Sequence, residues 1–313
     1  MRLLFMGTPA FALPTLKALL SSQHIVSAVF TQPDKPSGRG EKLSVPPVKQ
    51  LALEQGVPVY QPEKLGAPEW QPIFGALNAD AYVVVAYGKI LPPWLLDLPR
   101  LGAYNVRASL LPKYRGAAPI HWAIANGETK TGITTMKLDA GMDTGDMLLQ
   151  HEVTIEPEDT RASIHDRLAE IGAELMLKTL DSLEKGTAKL VPQDPALATY
   201  APMLRKSDGL LDWSQSAISL HNRIRAFNPW PGTYTLLHGQ TLRIWKAQPA
   251  EVSGDSLPPG SLLHHSSEVA VIACGTGFLR LEEVQLENRK RTSALDFLHG
   301  IRLGRTQTIL LGR

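Results

Sequence analysis

Two short stretches of this 313-residue chain gather side chains that could do chemistry together. Asn105-Val106-Arg107-Ala108-Ser109-Leu110-Leu111-Pro112 offers a carboxamide, a permanent cation and a hydroxyl, and runs into Lys113-Tyr114-Arg115-Gly116-Ala117-Ala118-Pro119. Asp139-Ala140-Gly141-Met142-Asp143-Thr144-Gly145-Asp146 offers three carboxylates in one turn-rich segment. Amides and cations can hold a negatively charged oxygen, and carboxylates can move protons. Each stretch alone also has a plainer reading. Asn and Asp at strand ends cap turns. The acidic run could be a cation loop, although it lacks the ligand spacing and closing Glu of an EF-hand.

The elements that must hold these stretches alternate between strand and helix. Leu3 to Met6 is an apolar run closed by Gly7-Thr8-Pro9, too short for a secretory leader and better suited to a buried first strand. Apolar spacing predicts a helix over Phe11 to Leu20, a strand over Ile25 to Phe30, a helix near Val48 to Glu54 and a strand over Val57 to Tyr60. Ala81 to Ala86 is nearly all apolar and β-rich, as a strand covered on both faces requires. Ala103 to Val106 reads as the strand that delivers Asn105. Gly132 to Leu138 and Leu148 to Ile155 read as an antiparallel pair, followed by a helix over Arg161 to Leu183 that Gly186 stops. The expected fold is α/β, a doubly wound, mostly parallel sheet. Ligands in such sheets sit beyond the carboxyl ends of the strands, which is where both chemical stretches fall.

Between Thr31 and Pro47 lie four prolines, two glycines and five charges, which argues for a long loop that is neither strand nor helix. The last third changes texture. Thr233 to Leu237 and Gln240 to Ala247 flank His238-Gly239 as a hairpin, and Ser261–Leu263, Glu268–Ala273 and Phe278–Val284 follow as short strands. With a helix near Ser293 to His299, they predict a small OB-like antiparallel barrel. The expected domains are residues 1–202, a linker over 203–209, and 210–313.

Hydrophobic residues make up 43% and charged residues 20%, the profile of a soluble globular chain. No apolar run reaches a membrane span, so no membrane partner is expected. Net charge is +2; from Lys206 onward 12 Lys/Arg face 9 Asp/Glu, a local balance of +3. Any nucleic-acid contact must therefore come from local patches. The single cysteine, Cys274, cannot form an internal disulfide and reads as a buried apolar residue. No paired Cys/His spacing is present, so no metal is expected.

Taken together, the motifs carry a resemblance. N-x-R-x-S-L-L-P-x-x-R-G-x-x-P from Asn105, followed by D-x-G-x-D-T-G from Asp139, is similar to the folate-dependent formyltransferase family. The opening F-M-G-T-P-A-F, the T-Q-P-D-K-P-S-G-R-G loop, V-V-V-A-Y-G-K-I-L-P from Val83 and I-R-A-F-N-P-W-P-G from Ile224 extend it along the chain, towards the methionyl-tRNA formyltransferases. The resemblance implies 10-formyltetrahydrofolate as formyl donor and methionyl initiator tRNA as acceptor. It implies Asn105 as oxyanion donor, Asp143 as the catalytic carboxylate, and Arg107 where the family has histidine. Tyr87, Gly88, Lys89, Ile90 and Leu91 with Ser109, Leu110, Leu111 and Pro112 should line the folate pocket, Asp139 to Asp143 forming its far wall.

Arginine keeps its charge at any working pH, so Arg107 can supply positive charge but cannot shuttle a proton. His121, the nearest histidine in sequence, is a weak substitute and reads as a surface or groove residue. For the tRNA, the resemblance points to the long loop, with Lys35, Arg39 and Lys42. Lys206, Arg223 and Arg225 are expected phosphate contacts, as are Arg243 and Lys246; Arg289-Lys290-Arg291 reads equally as a solvated turn. Trp230 reads as a packing residue. A cytoplasmic monomer is expected.

Overall fold

The computed structural model describes all residues except 38–41, 253–256, 267–268, 302–307 and 313. The strands in chain order are β1 (Arg2–Gly7), β2 (Ile25–Phe30), β3 (Lys35–Ser37), β4 (Lys42–Ser44), β5 (Val59–Tyr60), β6 (Ala81–Val85), β7 (Ala103–Arg107), β8 (Arg115–Gly116), β9 (Lys130–Lys137), β10 (Met147–Thr154), β11 (Tyr200–Ala201), β12 (Thr233–Leu237), β13 (Gln240–Ala250), β14 (Ser261–Ser266), β15 (Val269–Ala273), β16 (Phe278–Leu286), β17 (Thr292–Ser293) and β18 (Thr308–Leu310). The helices are α1 (Leu13–Leu20), α2 (Pro47–Glu54), α3 (Trp70–Leu77), α4 (Pro93–Leu96), α5 (Pro119–Ala125), α6 (Arg161–Glu184), α7 (Ala217–Phe227) and α8 (Ala294–Gly300).

The chain forms two compact units. The first holds Met1–Pro119, Lys130–Thr154 and Ser163–Ala201; the second holds Ile120–Thr129, Ile155–Ala162 and Pro202–Arg313. Two excursions from the first two-thirds, Ile120–Thr129 and Ile155–Ala162, therefore group with the second unit.

In the first unit a seven-stranded sheet runs in the order β10-β9-β7-β6-β1-β2-β5. Five neighbours from β7 to β5 are parallel, while β9 is antiparallel to both β7 and β10. Every residue of β6 is buried, as its all-apolar A-Y-V-V-V sequence requires for a strand covered on both faces. One face carries Leu4, Met6, Phe30, Tyr82, Val84 and Ala103 with Phe74, Tyr87 and Leu91 packed on them. On the other face of β7, Val106 meets Gly172 in the middle of α6; a Cβ there would sit 2.7 Å from Val106 Cγ1. Alternation along the strand then turns Asn105 and Arg107 to the Ala103 side.

The stretch from Thr31 to Pro47 departs from expectation. Lys35–Ser37 and Lys42–Ser44 pair antiparallel, with Pro36 opposite Leu43. A two-stranded ribbon leaves each strand one open edge, where the missing N–H of a proline is not needed.

In the second unit β12-β13-β16-β15-β14-β18 form a curled antiparallel sheet. Its two ends meet where Leu236 and Gly312 exchange hydrogen bonds of 3.3 and 2.8 Å. The β12–β13 turn has His238 at φ 47 and Gly239 at φ 79, the left-handed pair a two-residue hairpin favours. Helix α7, unmarked in the sequence reading, starts at Ser216, whose hydroxyl accepts from Ser219 N, and buries Leu220, Ile224 and Phe227. No helix among the described residues is long and apolar enough to cross a membrane.

Candidate active site

Strand β7 delivers Asn105 and Arg107 side by side on one face, at its carboxyl end. The carboxamide of Asn105 has no hydrogen-bond partner among the described residues, which leaves its N–H groups available. Arg107 is largely buried. Its Nη2 donates to Tyr114 O at 3.1 Å and to Gly116 O, and lies 3.2 Å from Asp143 Oδ2. Its Nε is buried with no partner. Burial presses the guanidinium's pKa down and the Asp143 charge pushes it back up.

Asp143 comes from the loop between β9 and β10 and adopts φ 56, a left-handed backbone that a non-glycine residue holds only at a cost. Its Oδ2 accepts from Gly116 N at 2.8 Å. Gly145 in the same loop admits no side chain, since a Cβ would fall 1.8 Å from Lys137 O. Asp139 closes the loop on itself, taking Gly141 N at 3.1 Å and Thr144 Oγ1 at 2.8 Å.

The segment predicted to line the folate pocket is built from backbone turns. Ala86 at φ 46 and Gly88 at φ 79 swing the chain outward after β6. Gln32 Nε2 donates to the carbonyls of Tyr87 and Gly88, both at 3.1 Å, and Thr8 Oγ1 reaches Tyr87 O at 3.1 Å. The Tyr87 ring is buried with its hydroxyl unpartnered, and burial raises its pKa. Leu91 is buried while Ile90 is 86% exposed. Lys89 turns back to the carbonyls of Pro62 and Glu63, and burial, then nearby Lys35, lowers its pKa. Across the site, Ser109 Oγ is buried without a partner. Thr134 Oγ1 donates to Ser109 O at 2.7 Å and accepts from Leu111 N at 3.1 Å, and Gln150 Nε2 meets Leu111 O at 2.8 Å, fixing Leu110 to Pro112. A groove of about 580 Å³ runs along α4, the segment that leads into β7 and the 139–146 loop, with Pro93, Leu96, Arg100, Leu138 and Thr144 in its wall; of the residues expected around folate it takes in Asp139 and Ala140 alone.

Sequence reasoning missed the support under Asp143. Gln193 is buried, takes Arg115 Nε and Nη2 at 3.1 and 2.7 Å, and donates to Asp143 O and Gly145 O at 2.9 and 2.7 Å. It lies in an irregular stretch after α6, where no local pattern marks it.

The predicted cations divide. Lys35 is exposed, with Nζ 3.0 Å from Gln32 Oε1. Arg39 and the side chain of Lys42 lie outside the described residues. Lys206 is exposed and, with Tyr234, Arg243 and Gln285, edges a cleft of about 520 Å³ in the second unit. Arg223 and Arg225 turn inward instead. Arg223 Nη2 donates to Asp208 O at 2.7 Å, and its guanidinium stacks 5.0 Å from the Phe227 ring centre. Arg225 Nη1 donates to Asp159 O at 2.7 Å, and its Nε and Nη2 reach Asn222 Oδ1 at 3.1 and 2.9 Å. The carbonyls here need donors, so a phosphate would compete with the fold for both arginines. Lys246 pairs with Glu282 at 2.7 Å, and Arg291 with Glu283 over the Trp245 ring. Trp230 is 59% exposed and does not act as a packing residue; Asn228 ties that turn down, donating to Ile244 O and Trp245 O at 3.1 and 2.9 Å. His121 lies in α5, and that stretch belongs to the second unit.

Cys274 is buried after β15, and its thiol is pushed up to about 12 by burial. Among the described residues one group has ligand atoms close enough for a metal, His24 with Asp181 and Glu184, at the amino end of β2. The Met1 ammonium already bonds into it, 3.3 Å from both His24 Nδ1 and Glu184 Oε1.

Proteins similar to this chain match it over nearly its whole length. A protein from Geobacter metallireducens named methionyl-tRNA formyltransferase is 53% identical over 96% of this chain and 96% of its own. Proteins of the same name from Acidobacterium capsulatum (52%, covering 96% of each chain) and Acetivibrio thermocellus (46%, covering 99% of each) are similarly close. Among solved structures, the sugar 3N-formyl transferase WlaRD has a TM-score of 0.67 at 17% identity, covering 93% of this chain and 99% of that one. HypX from Aquifex aeolicus with tetrahydrofolic acid has a TM-score of 0.60 at 18% identity, covering 95% of this chain and 47% of that one. At such identities these two speak for the fold alone. Residues 1–180 match the formyl transferase domain and residues 203–302 its C-terminal domain, so the chain belongs to the formyl transferase family.

Proposed function

We propose that this chain moves the formyl group of 10-formyltetrahydrofolate to the amino group of methionine on initiator tRNA. The observation that carries the reading is near-full-length likeness, at 53% and 52% identity, to bacterial proteins named methionyl-tRNA formyltransferase. The residues fit a flat, hydrogen-bonding co-substrate along Tyr87–Leu91 and Ser109–Pro112. Tyr87 and Ser109 hold buried hydroxyls without partners that such a co-substrate could satisfy.

When bound, the folate supplies the formyl carbon that the amine attacks. Asn105 donates its free amide N–H to the oxygen that gains negative charge there, and the Arg107 cation adds to the same field. Arg107 keeps its proton, so Asp143 would take the proton the amine loses and pass it to the folate nitrogen as the formyl carbon–nitrogen bond breaks and tetrahydrofolate leaves. Gly116 N and Arg107 both hold the carboxylate's Oδ2, which orients its other oxygen. On the RNA side, exposed Lys35 and Lys206 act as phosphate contacts alongside Arg39 and Lys42. One asymmetric tRNA requires no symmetric partner, so the proposed enzyme works as a monomer, in the cytoplasm where initiation occurs.

The clamp of Arg107 onto Asp143 favours a second reading, a relative that binds tRNA but turns over slowly or not at all. One experiment separates them. The protein is incubated with 10-formyltetrahydrofolate and methionyl initiator tRNA, and formyl-methionine is measured after deacylation. Product at an enzyme-like rate supports the transferase; retained tRNA without product supports the binding-only relative. Formylation of an amino-sugar nucleotide instead would overturn both.

A further inference from the structure

Asp143 depends on a residue from a distant, irregular part of the chain. Gln193 uses all four of its hydrogen-bonding positions at once. Its Oε1 takes Arg115 Nε and Nη2 at 3.1 and 2.7 Å, and its Nε2 reaches Asp143 O and Gly145 O at 2.9 and 2.7 Å. Only one orientation of the carboxamide satisfies this set, because the guanidinium can only donate and the two carbonyls can only accept. Arg115 is 6% exposed and Gln193 9%, so neither finds water as a replacement partner.

The bonds close a ring. Arg115 and Gly116 are neighbours in β8. Gly116 N holds the Asp143 carboxylate at 2.8 Å, while the Arg115 side chain holds the Asp143 backbone through Gln193. A carboxylate on a left-handed backbone, φ 56, has no helix or strand to place it. The ring does so by tying the loop at both its backbone and its side chain to one rigid dipeptide.

We infer that Gln193 is a positioning residue for formyl transfer, acting through Asp143: its amide sets where the Asp143 carboxylate stands. The inference rests on the proposed role of Asp143 and extends it to a residue outside both chemical stretches. Displacement of a reacting group by about 1 Å costs on the order of 100-fold in rate, so loss of the clamp should be visible in turnover.

Gln193→Glu is the informative variant. It keeps an acceptor for Arg115, and so the buried ion's partner, but replaces the one nitrogen that donates twice to the loop with an oxygen that repels its carbonyls. Two measurements are made on the full chain. Single-turnover formyl transfer at saturating substrates should fall at least about tenfold in rate constant with KM changed less than about threefold. A merely structural role would lower the reactive fraction, not the rate constant. Hydrogen exchange of the Gly116 amide, read by mass spectrometry of the peptide around Arg115 to Ala118, should speed up at least about tenfold. A rate constant equal to that of the unsubstituted protein, or an equally protected Gly116 amide, overturns the inference. If Gln193→Glu does not fold, Gln193→Met is read the same way, with the same two outcomes deciding. If the unsubstituted chain transfers no formyl group, the functional reading fails, while the exchange measurement still decides whether Gln193 sets the carboxylate.

Discussion

Arg107 Nη2 stands 3.2 Å from Asp143 Oδ2, and both side chains are mostly withdrawn from water, 15% and 12% exposed. The same nitrogen donates to two backbone carbonyls of the β8 turn. A guanidinium held this way is a fixed positive charge and useless as a proton carrier. Its unpartnered Nε is a buried donor that a negatively charged oxygen could satisfy.

Replacing this arginine tests what the fixed charge costs. Arg107→His restores a group that can give and take a proton near neutral pH. Formyl-methionine production should rise by about 100-fold, the scale attached to one general acid/base. Initial rates at saturating substrates check this, and unchanged turnover would refute the account of Arg107 as the slow step.

Gly88 sits at φ 79, and a Cβ there would lie 2.3 Å from Gln32 Nε2. Gly88→Ala should therefore push Gln32 off the Tyr87 and Gly88 carbonyls and strain the turn, by about 1 to 2 kcal/mol for the backbone alone. Folate affinity, followed by fluorescence quenching, should weaken by about tenfold, with tRNA retention unchanged. A variant that binds folate normally would remove this turn from the pocket.

The second unit's cations should separate by role. Lys206→Ala should weaken tRNA binding and reduce the slope of log affinity against log salt by about 1. Arg225→Ala should leave the slope alone. It should instead destabilise the unit by about 1 to 3 kcal/mol, because the bonds Arg225 gives to Asp159 O and to Asn222 Oδ1 are lost. Filter binding across a salt series and urea melts of both variants give the comparison; an unchanged melt with a shallower slope for Arg225→Ala reverses the assignment.

Cys274 offers a pH-dependent check on burial. Its thiol, raised by burial to about 12, binds its proton more tightly folded than unfolded. Its contribution to stability is thus complete below the unfolded value of about 8.5 and is lost as pH rises from there through about 12. At pH 8 the native protein should resist alkylation by iodoacetamide, and urea should release a single fast-reacting thiol, counted by mass spectrometry. Ready labelling of the native chain would show that the pocket around it opens.

Much of the first unit was legible because its signals are local. The buried run at Ala81–Val85, the helix of α6 and the turn before Asp143 follow from neighbouring residues and their periodicity. So does the hairpin at His238-Gly239, whose two residues tolerate the left-handed backbone the turn needs. The β3–β4 ribbon was not legible, because Pro36 speaks against a strand and the pairing joins two segments of only three residues each. Helix α7 was passed over as a motif although Ser216 caps it.

By itself, then, the amino-acid order determined the layered α/β plan, the curled second sheet, and the residue types Asn105, Arg107 and Asp143 with their family. Tertiary structure decided which partners those side chains meet. Gln193 reaches Asp143 across 50 residues and Arg115 across 78, and Arg225 finds Asp159 across 66. Nothing in a short window encodes such contacts. They exist because buried donors and acceptors must be paired once the chain has closed around them, and only the closed chain shows which pairs are within reach.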